Sequence, residues 1–420
     1  MLFGIRSGLT AAIIAVGLIS SLLTSWAAPS AIHLDWFKDM TDVIQGESSS
    51  LKAVADASGN VYAVGANEFG WGSLRGFVRK YDGSGRPIWT KTIGADSTAL
   101  GVAIDRRNQA IYVVGTSNGE LRGEKSAGGR DAFIRKYDLN GEKRWTRQFG
   151  SSNSDYALAV ECGPDGAVYV AGTTEGALPK QRFYGGKGDV FIRKFTAGGR
   201  AKWIKQFGTR GLDVAMDVAI SRRNEIYLAG STTRKLPHMK DRGGSDAYLR
   251  RYSANGKVIW TKQFSGSLDD LATNVAIDSD RRVYVAGISG ARGFVRKYTP
   301  NGYNLWSHRV DRSPIWGSAI DRMNRIYLTG YSLSPLAGSR ATAIIFSSNG
   351  KRLGGQKIPG SIATGIALDD DGHAFAVGTQ GFNYTIAALI SMTKHDRSDW
   401  YSWLAQFATG PSSGFIAKIN

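Results

Sequence analysis

A chain of 420 residues with 53 glycines, 10 prolines and a single cysteine, Cys162, cannot close an intramolecular disulfide and is not a disulfide-stapled scaffold. Its 42% hydrophobic and 11% aromatic content, with so much glycine, is a turn-rich and strand-rich balance, which points to an all-β fold rather than a helical or disordered chain. The excess of 53 basic over 35 acidic residues gives +18 at pH 7, which favours anionic partners such as nucleic acid, acidic polysaccharide or phospholipid head groups and says nothing about fold.

The first segment has one positive charge at Arg6, an apolar run from Leu9 to Leu23 and small residues near Ser25–Ala27. This is the pattern of a secretory signal peptide over residues 1–27, with an uncleaved anchor as the alternative. No cysteine follows the run at a lipid-attachment position, and export of a chain without disulfides suits a bacterial envelope.

From residue 33 onward one phrase recurs seven times: DASGNVYAVG (56–65), DRRNQAIYVVG (105–115), GPDGAVYVAG (163–172), SRRNEIYLAG (221–230), DSDRRVYVAG (278–287), DRMNRIYLTG (321–330) and DDDGHAFAVG (369–378). The closing glycines are 50, 57, 58, 57, 43 and 48 residues apart, the period of propeller blades. A second phrase, RDAFIRKYDLNGEKRWTRQFG (130–150), returns as GDVFIRKFTAGGRAKWIKQFG (188–208) and reads as an outer hairpin turned by Asn-Gly or Gly-Gly. Each unit therefore parses into four antiparallel strands, and the chain is expected to form one seven-bladed β-propeller over 33–420. The closing GFIAKIN (414–420) matches a third strand and LDWFKDM (34–40) a fourth, so the N-terminal strand is expected to complete the last blade and remove its open edge. Residues 383–413, containing SDWYSWLAQFATG, fit no blade and read as an insertion.

These phrases, above all GGRDAFIRKYDLNG (128–141) and GGSDAYLRRYSANG (243–256), resemble the bacterial β-propeller repeat called SBBP. The resemblance implies secreted or surface-exposed binding proteins and supplies no chemistry. In the sixth unit Gly354 replaces the tryptophan found at Trp36, Trp89, Trp145, Trp203, Trp260 and Trp306, so that blade is expected to pack least well.

The strongest chemical temptations have structural readings. The tryptophans are inter-blade filler rather than a quinone-docking motif. Arg79, Arg135, Arg193, Arg250 and Arg296 recur between aromatics, which predicts stacking and pairing with a carboxylate such as Asp155 or Asp213 rather than an anion-binding ring. His33, His238, His308, His373 and His395 lack metal-ligand spacing, and Asp369-Asp370-Asp371-Gly372 reads as a turn. No catalytic residue, metal or cofactor is assigned.

The long loops follow the second strand of each unit and share one face. The first three carry Arg122, Lys125, Arg130, Lys180, Arg182, Lys187, Lys235, Lys240 and Arg242 with Phe183, Tyr184 and His238, a mixture suited to an acidic glycan, another polyanion or an envelope protein. The expectation is a monomeric binding or scaffold propeller that is secreted, periplasmic or on the cell surface, with no transmembrane domain once the signal is removed. The alternative is a propeller lyase or hydrolase acting on polysaccharide through His238, Glu175 and Lys180.

Overall fold

The computed structural model describes residues 34–39, 48–69, 73–239, 244–264, 269–310, 312–334, 338–380 and 414–419. The expected signal segment, the 383–413 insertion, Lys240 and Arg242 lie outside them. Strand β1 (Leu34–Asp39) comes first, and blade one holds β2–β5 (Ser48–Ala55, Val61–Phe69, Ser73–Tyr81, Pro87–Ala95). Blade two holds β6–β9 (Ser97–Asp105, Ala110–Asn118, Arg130–Asp138, Lys143–Phe149), and blade three β10–β13 (Asp155–Cys162, Val168–Thr174, Asp189–Phe195, Ala201–Phe207). Blade four holds β14–β17 (Asp213–Ile220, Ile226–Thr232, Asp246–Tyr252, Val258–Phe264), and blade five β18–β21 (Asp270–Ile277, Val283–Ser289, Arg292–Tyr298, Asn304–Val310). Blade six holds β22–β25 (Ile315–Ile320, Ile326–Ser334, Gly338–Phe346, Arg352–Lys357), and β26 (Ile362–Leu368), β27 (Ala374–Thr379) and β28 (Gly414–Ile419) belong to blade seven.

Every sheet is four-stranded and antiparallel, and the seventh has the order β1-β28-β27-β26. β1 pairs with β28 from Leu34 opposite Ile419 to Asp39 opposite Phe415, so the first strand of the chain covers the edge of the last. The junction on either side is apolar. Phe375, Val377 and Ile416 of blade seven pack with Val61 and Tyr81 of blade one, while Ile366, Phe415 and Ile419 pack with Tyr327 and Ile345 of blade six.

Three local devices explain why the sequence repeats. The first is a register shift in the middle of every inner strand, which places Leu51, Leu100, Leu158, Met216, Thr273, Trp316 and Thr364 out of the pairing. It swings the backbone onto the neighbouring strand where the repeat ends in glycine. A Cβ at Gly115, Gly172 or Gly230 would sit 1.8, 1.8 or 1.9 Å from the Thr98, Tyr156 or Val214 carbonyl oxygen. Only glycine fits, and this is the origin of the closing residue of the phrase.

The second device joins neighbouring blades. Trp145 Nε1 donates to the Ala197 carbonyl at 3.1 Å, Trp260 to Pro300 at 3.1 Å and Trp306 to Ser348 at 3.1 Å, each in the outer turn of the following blade. The tryptophan ring lies under that turn's glycine, as Trp145 does under Gly199. Gly354, opposite Ile345, holds the tryptophan position in blade six, and the blade that follows pairs β28 with β1 as its third and fourth strands.

The third device is the Arg-Lys pair of the FIRKY phrase, whose alternate side chains face opposite neighbours. Lys136 lies over the Tyr112 ring and donates to the Ala197 carbonyl of blade three, whereas Arg135 donates to the Ile93 carbonyl of blade one. The repeated phrase is thus the glue on both sides of a blade.

Candidate functional site

The long loops are held by a cross-brace built from the glutamine of the QF phrase. Gln148, Gln206 and Gln263 each accept, through Oε1, the backbone N–H of a loop leucine, Leu121, Leu178 and Leu236, at 2.8, 3.0 and 2.8 Å. Their Nε2 groups donate to Asp131, Asp189 and Asp246 at 2.8, 2.8 and 2.6 Å, the aspartates that open the third strands. The three leucines are buried. Each loop then turns at once, with the N–H of Glu124, Gln181 and Met239 donating back to the leucine carbonyl. Gly123, Lys180 and His238 occupy the left-handed position of this turn, with φ of 87°, 62° and 65°.

This geometry presents the expected binding residues. Arg122, Lys125, Lys180, Arg182, Lys187, Lys235 and His238 are exposed, Tyr184 is 42% exposed, and Arg130 and Phe183 are half-buried. Arg182 lies over the Tyr184 ring at 5.4 Å. Among the described residues Arg122, Lys125, Lys180, Arg182 and Lys235 form no ion pair. Lys180 and His238 hold the same turn position in adjacent blades.

The opposite face is different. Arg106 and Arg322 both pair with Asp370, Arg281 pairs with Glu225, and Arg107 donates to the Pro164 carbonyl, so these cations tie one blade to another. Arg222 and Arg223 are exposed there. The Asp369–Gly372 segment is the turn the sequence predicts: Asp369 accepts from the N–H of Asp371 and His373 and from His373 Nδ1. Asp369, Asp371 and His373 bring their ligand atoms within 4.8 Å of one another, and of these the Asp369 carboxylate and His373 Nδ1 are engaged with each other in closing the hairpin.

The recurrent arginines need a correction. They stack on aromatics as expected, Arg250 lying 3.6 Å from the Phe207 centroid, but their polar partners are not Asp155 or Asp213. Arg79, Arg135 and Arg250 donate Nε–H to Thr90, Thr146 and Thr261 on the adjacent outer strand at 2.7, 2.9 and 2.9 Å. The aspartates are engaged at the blade tops, where Asp155 accepts from Ser151 and Asp213 from Thr209.

There they meet other carboxylates. The position of a Cβ on Gly150 would be 2.3 Å from Asp131 Oδ1 and 2.4 Å from Asp155 Oδ2, and one on Gly208 would be 2.1 Å from Asp189 Oδ1 and 3.0 Å from Asp213 Oδ2. All four side chains are buried. Burial pushes Asp155 up to about 7 and Asp213 up to about 6, against the pull of hydrogen bonds from nearby hydroxyls and N–H groups, with the facing carboxylate adding to the rise.

The central channel holds a group that sequence reasoning missed. Its apolar lining includes Leu51, Leu100, Tyr156, Leu158 and Trp316. The residue after each register shift is small in four blades, Gly101, Ala159, Gly317 and Gly365, and polar in three, Lys52, Asp217 and Asn274. Those three converge: Lys52 Nζ donates to Asn274 Oδ1 at 3.3 Å, and the Lys52 charge opposes the rise that burial imposes on Asp217. Glu161, two residues further along β10 from Ala159, is pushed up to about 7 by burial. Aligning the seven inner strands would have exposed this departure from small residues.

Among the described residues no helix is long and apolar enough to cross a membrane. The family described as Beta-propeller repeat, SBBP, matches residues 259–293. The regulatory protein FlaEY of Caulobacter vibrioides is 26% identical over 91% of this chain and 40% of its own length. An uncharacterised WD repeat-containing protein, L264, of Acanthamoeba polyphaga mimivirus is 20% identical over 60% of this chain and 26% of its own. The chain thus spans less than half the length of these curated relatives. In solved structures, the WD40 β-propeller domain of Doa1 superposes with a TM-score of 0.56 at 12% identity, covering 93% of this chain and 97% of that one. Raptor of Chaetomium thermophilum gives 0.52 at 10% identity over 93% of this chain and 29% of its own. The repeated phrases and the closed ring together make the chain a seven-bladed β-propeller, within which residues 259–293 match the SBBP β-propeller repeat.

Proposed function

We propose that this propeller is a binding scaffold of the bacterial envelope whose long-loop face takes an anionic polymer, foremost an acidic polysaccharide. The observation that carries the reading is the set of exposed cations, Arg122, Lys125, Lys180, Arg182 and Lys235, which have no ionic partner among the described residues yet stand on loops braced to the blades by Gln148, Gln206 and Gln263. A cation held in place and left uncompensated keeps its field for a ligand and loses little freedom on binding. Tyr184 beside Arg182 adds a ring for a sugar face. The charged and apolar run of residues 1–27 supports export, and the Caulobacter relative described as a regulatory protein accords with binding rather than turnover.

Binding of the full chain to polygalacturonate, double-stranded DNA and neutral dextran, measured across a salt series, tests this reading. Salt-sensitive retention on the acidic polymers and none on dextran is expected. Failure to bind either polyanion, or equal binding to dextran, would overturn it. Fractionation of cells producing a tagged chain tests the location separately, with an envelope or secreted pool expected and an exclusively cytoplasmic one contradicting it.

A further inference from the structure

Blade three breaks the arginine pattern in a way no other blade does. In four blades the FIRKY arginine faces a hydroxyl-bearing residue across the outer strand pair, Thr90, Thr146, Thr261 or Ser307. Each of those blades also has a tyrosine two residues on: Tyr81, Tyr137, Tyr252 or Tyr298. Arg79 and Arg135 use both, reaching the tyrosine hydroxyl at 3.5 and 3.4 Å in addition to the threonine. Opposite Arg193 stands Ile204, and two residues on stands Phe195. Both acceptors have been removed at once.

Arg193 is nonetheless firmly placed. Its guanidinium lies 4.4 Å from the Phe149 centroid and 5.0 Å from that of Phe195, and it has no hydrogen-bond or ionic partner among the described residues. It lines a crevice of about 380 Å³ between blades two and three, which Phe149, Phe195 and the Gly198–Ala201 turn also bound. The other cations of the crevice have different duties. Arg147 donates to the Gly199 and Thr146 carbonyls, whereas Arg200 is exposed at the rim.

The Phe149 and Phe195 rings stand side by side, their centroids 5.8 Å apart, so together they wall one side of the Arg193 guanidinium and leave its N–H edge free toward the crevice. Leaving that edge without an acceptor in a partly desolvated crevice is unfavourable, and burial holds Arg193 below its ordinary value. The ligand group that relieves this is planar, anionic and two-oxygened, and the ring walls call for an apolar body behind it. We infer that the crevice between blades two and three is a binding site for a carboxylate on an apolar or aromatic body, with Arg193 as the bidentate anchor. The crevice borders the long-loop face at the brace residue Gln148 but includes none of the loop cations, so loss of carboxylate binding at Arg193 and loss of polyanion binding by the loops are separately readable. The carboxylate has two sources, a free aryl acid or the C-terminus of a peptide, and the test separates them.

The experiment follows arginine Nε–H resonances of the full-length protein by NMR while titrating benzoate, benzamide, inorganic phosphate and a short peptide ending in phenylalanine. The resonance of Arg193 is assigned by its loss in Arg193→Lys. Benzoate or the peptide is expected to shift it, the tighter of the two naming the source, while benzamide leaves it unmoved and phosphate binds more weakly. The decisive variant is Ile204→Thr with Phe195→Tyr, which restores the two internal acceptors found in the sister blades and keeps the arginine. It should weaken carboxylate binding at least about tenfold without disturbing the fold, since the same residues occur in equivalent places. The inference is overturned if no carboxylate shifts the Arg193 resonance, if phosphate or benzamide binds as well as benzoate, or if the double variant binds unchanged.

Discussion

Trp36 of β1 lies against Gly85 in the outer turn of blade one, so closely that a Cβ on that glycine would come within 2.6 Å of the Trp36 ring. The contact repeats, across the ring closure, the tryptophan-under-glycine stacking of Trp145 with Gly199, and it ties the N-terminal strand to two blades at once. Removing residues 34–39 should expose the backbone edge of β28 and leave the Gly85 turn uncovered. A truncated chain is expected to aggregate or to lose its single cooperative unfolding transition in urea. A soluble truncation with the same midpoint would show that β1 is not integral to the ring.

Gly172→Ala tests the register-shift device. The added methyl meets the Tyr156 carbonyl oxygen at 1.8 Å, a backbone atom that cannot rotate aside. The expected loss is about 3 kcal/mol or more in chemical denaturation. Gly119→Ala is a useful contrast. Its Cβ meets nothing within 4 Å, so the cost is confined to the φ of 102°.

Gln206→Ala should free a loop without unfolding the blade. Gln206 joins Leu178, Gly176 and Asp189, so its loss leaves the buried Leu178 N–H without its partner and Asp189 Oδ2 with the Tyr184 N–H alone. Hydrogen exchange is expected to accelerate over residues 176–184 while protection of β10 and β11 stays near the wild-type level. Uniform loss of protection through blade three would mean that the brace supports the sheet rather than the loop.

The facing aspartates give a pH dependence of defined sign. Asp155, pushed up to about 7 by burial, binds its proton more tightly in the folded state than in the unfolded chain. Its stabilising contribution is therefore full below about pH 4 and is lost as pH rises toward 7. Asp155→Asn removes the charge, so it should be more stable than wild type at pH 8 by about 1 kcal/mol or more, the difference shrinking toward pH 5. Equal stability differences at both pH values would place the ionisation of Asp155 in the ordinary carboxylate range.

Legibility in the sequence follows from what the blades must repeat. The closing glycine serves the inner strand pair of its own blade and the tryptophan with the next blade's outer-turn glycine serves the junction between blades, so the seven copies of the inner phrase spell the architecture. What stays hidden is what one blade does for another. Lys52 and Asn274 meet across the channel from positions 222 residues apart, and nothing local to either predicts the other. The arginines' partners are hidden too, because Thr146 lies on the next strand, opposite Arg135, and only the pairing register brings it there.

The central claim, that the braced long-loop face rather than net charge binds the anionic polymer, is tested most directly by two charge-matched variants. One changes Lys125, Lys180 and Lys235 to Ser on the long-loop face, and the other changes Arg222, Arg223 and Arg282 to Ser on the opposite turns. The measurement is the slope of log affinity for double-stranded DNA against log salt, with polygalacturonate run in parallel. The loop variant is expected to bind more weakly and to flatten the DNA slope by roughly 0.7–0.9 for each lost contact, while the turn variant stays close to wild type. Equal losses from both variants would contradict the account and leave only the overall charge of +18 as the cause of binding.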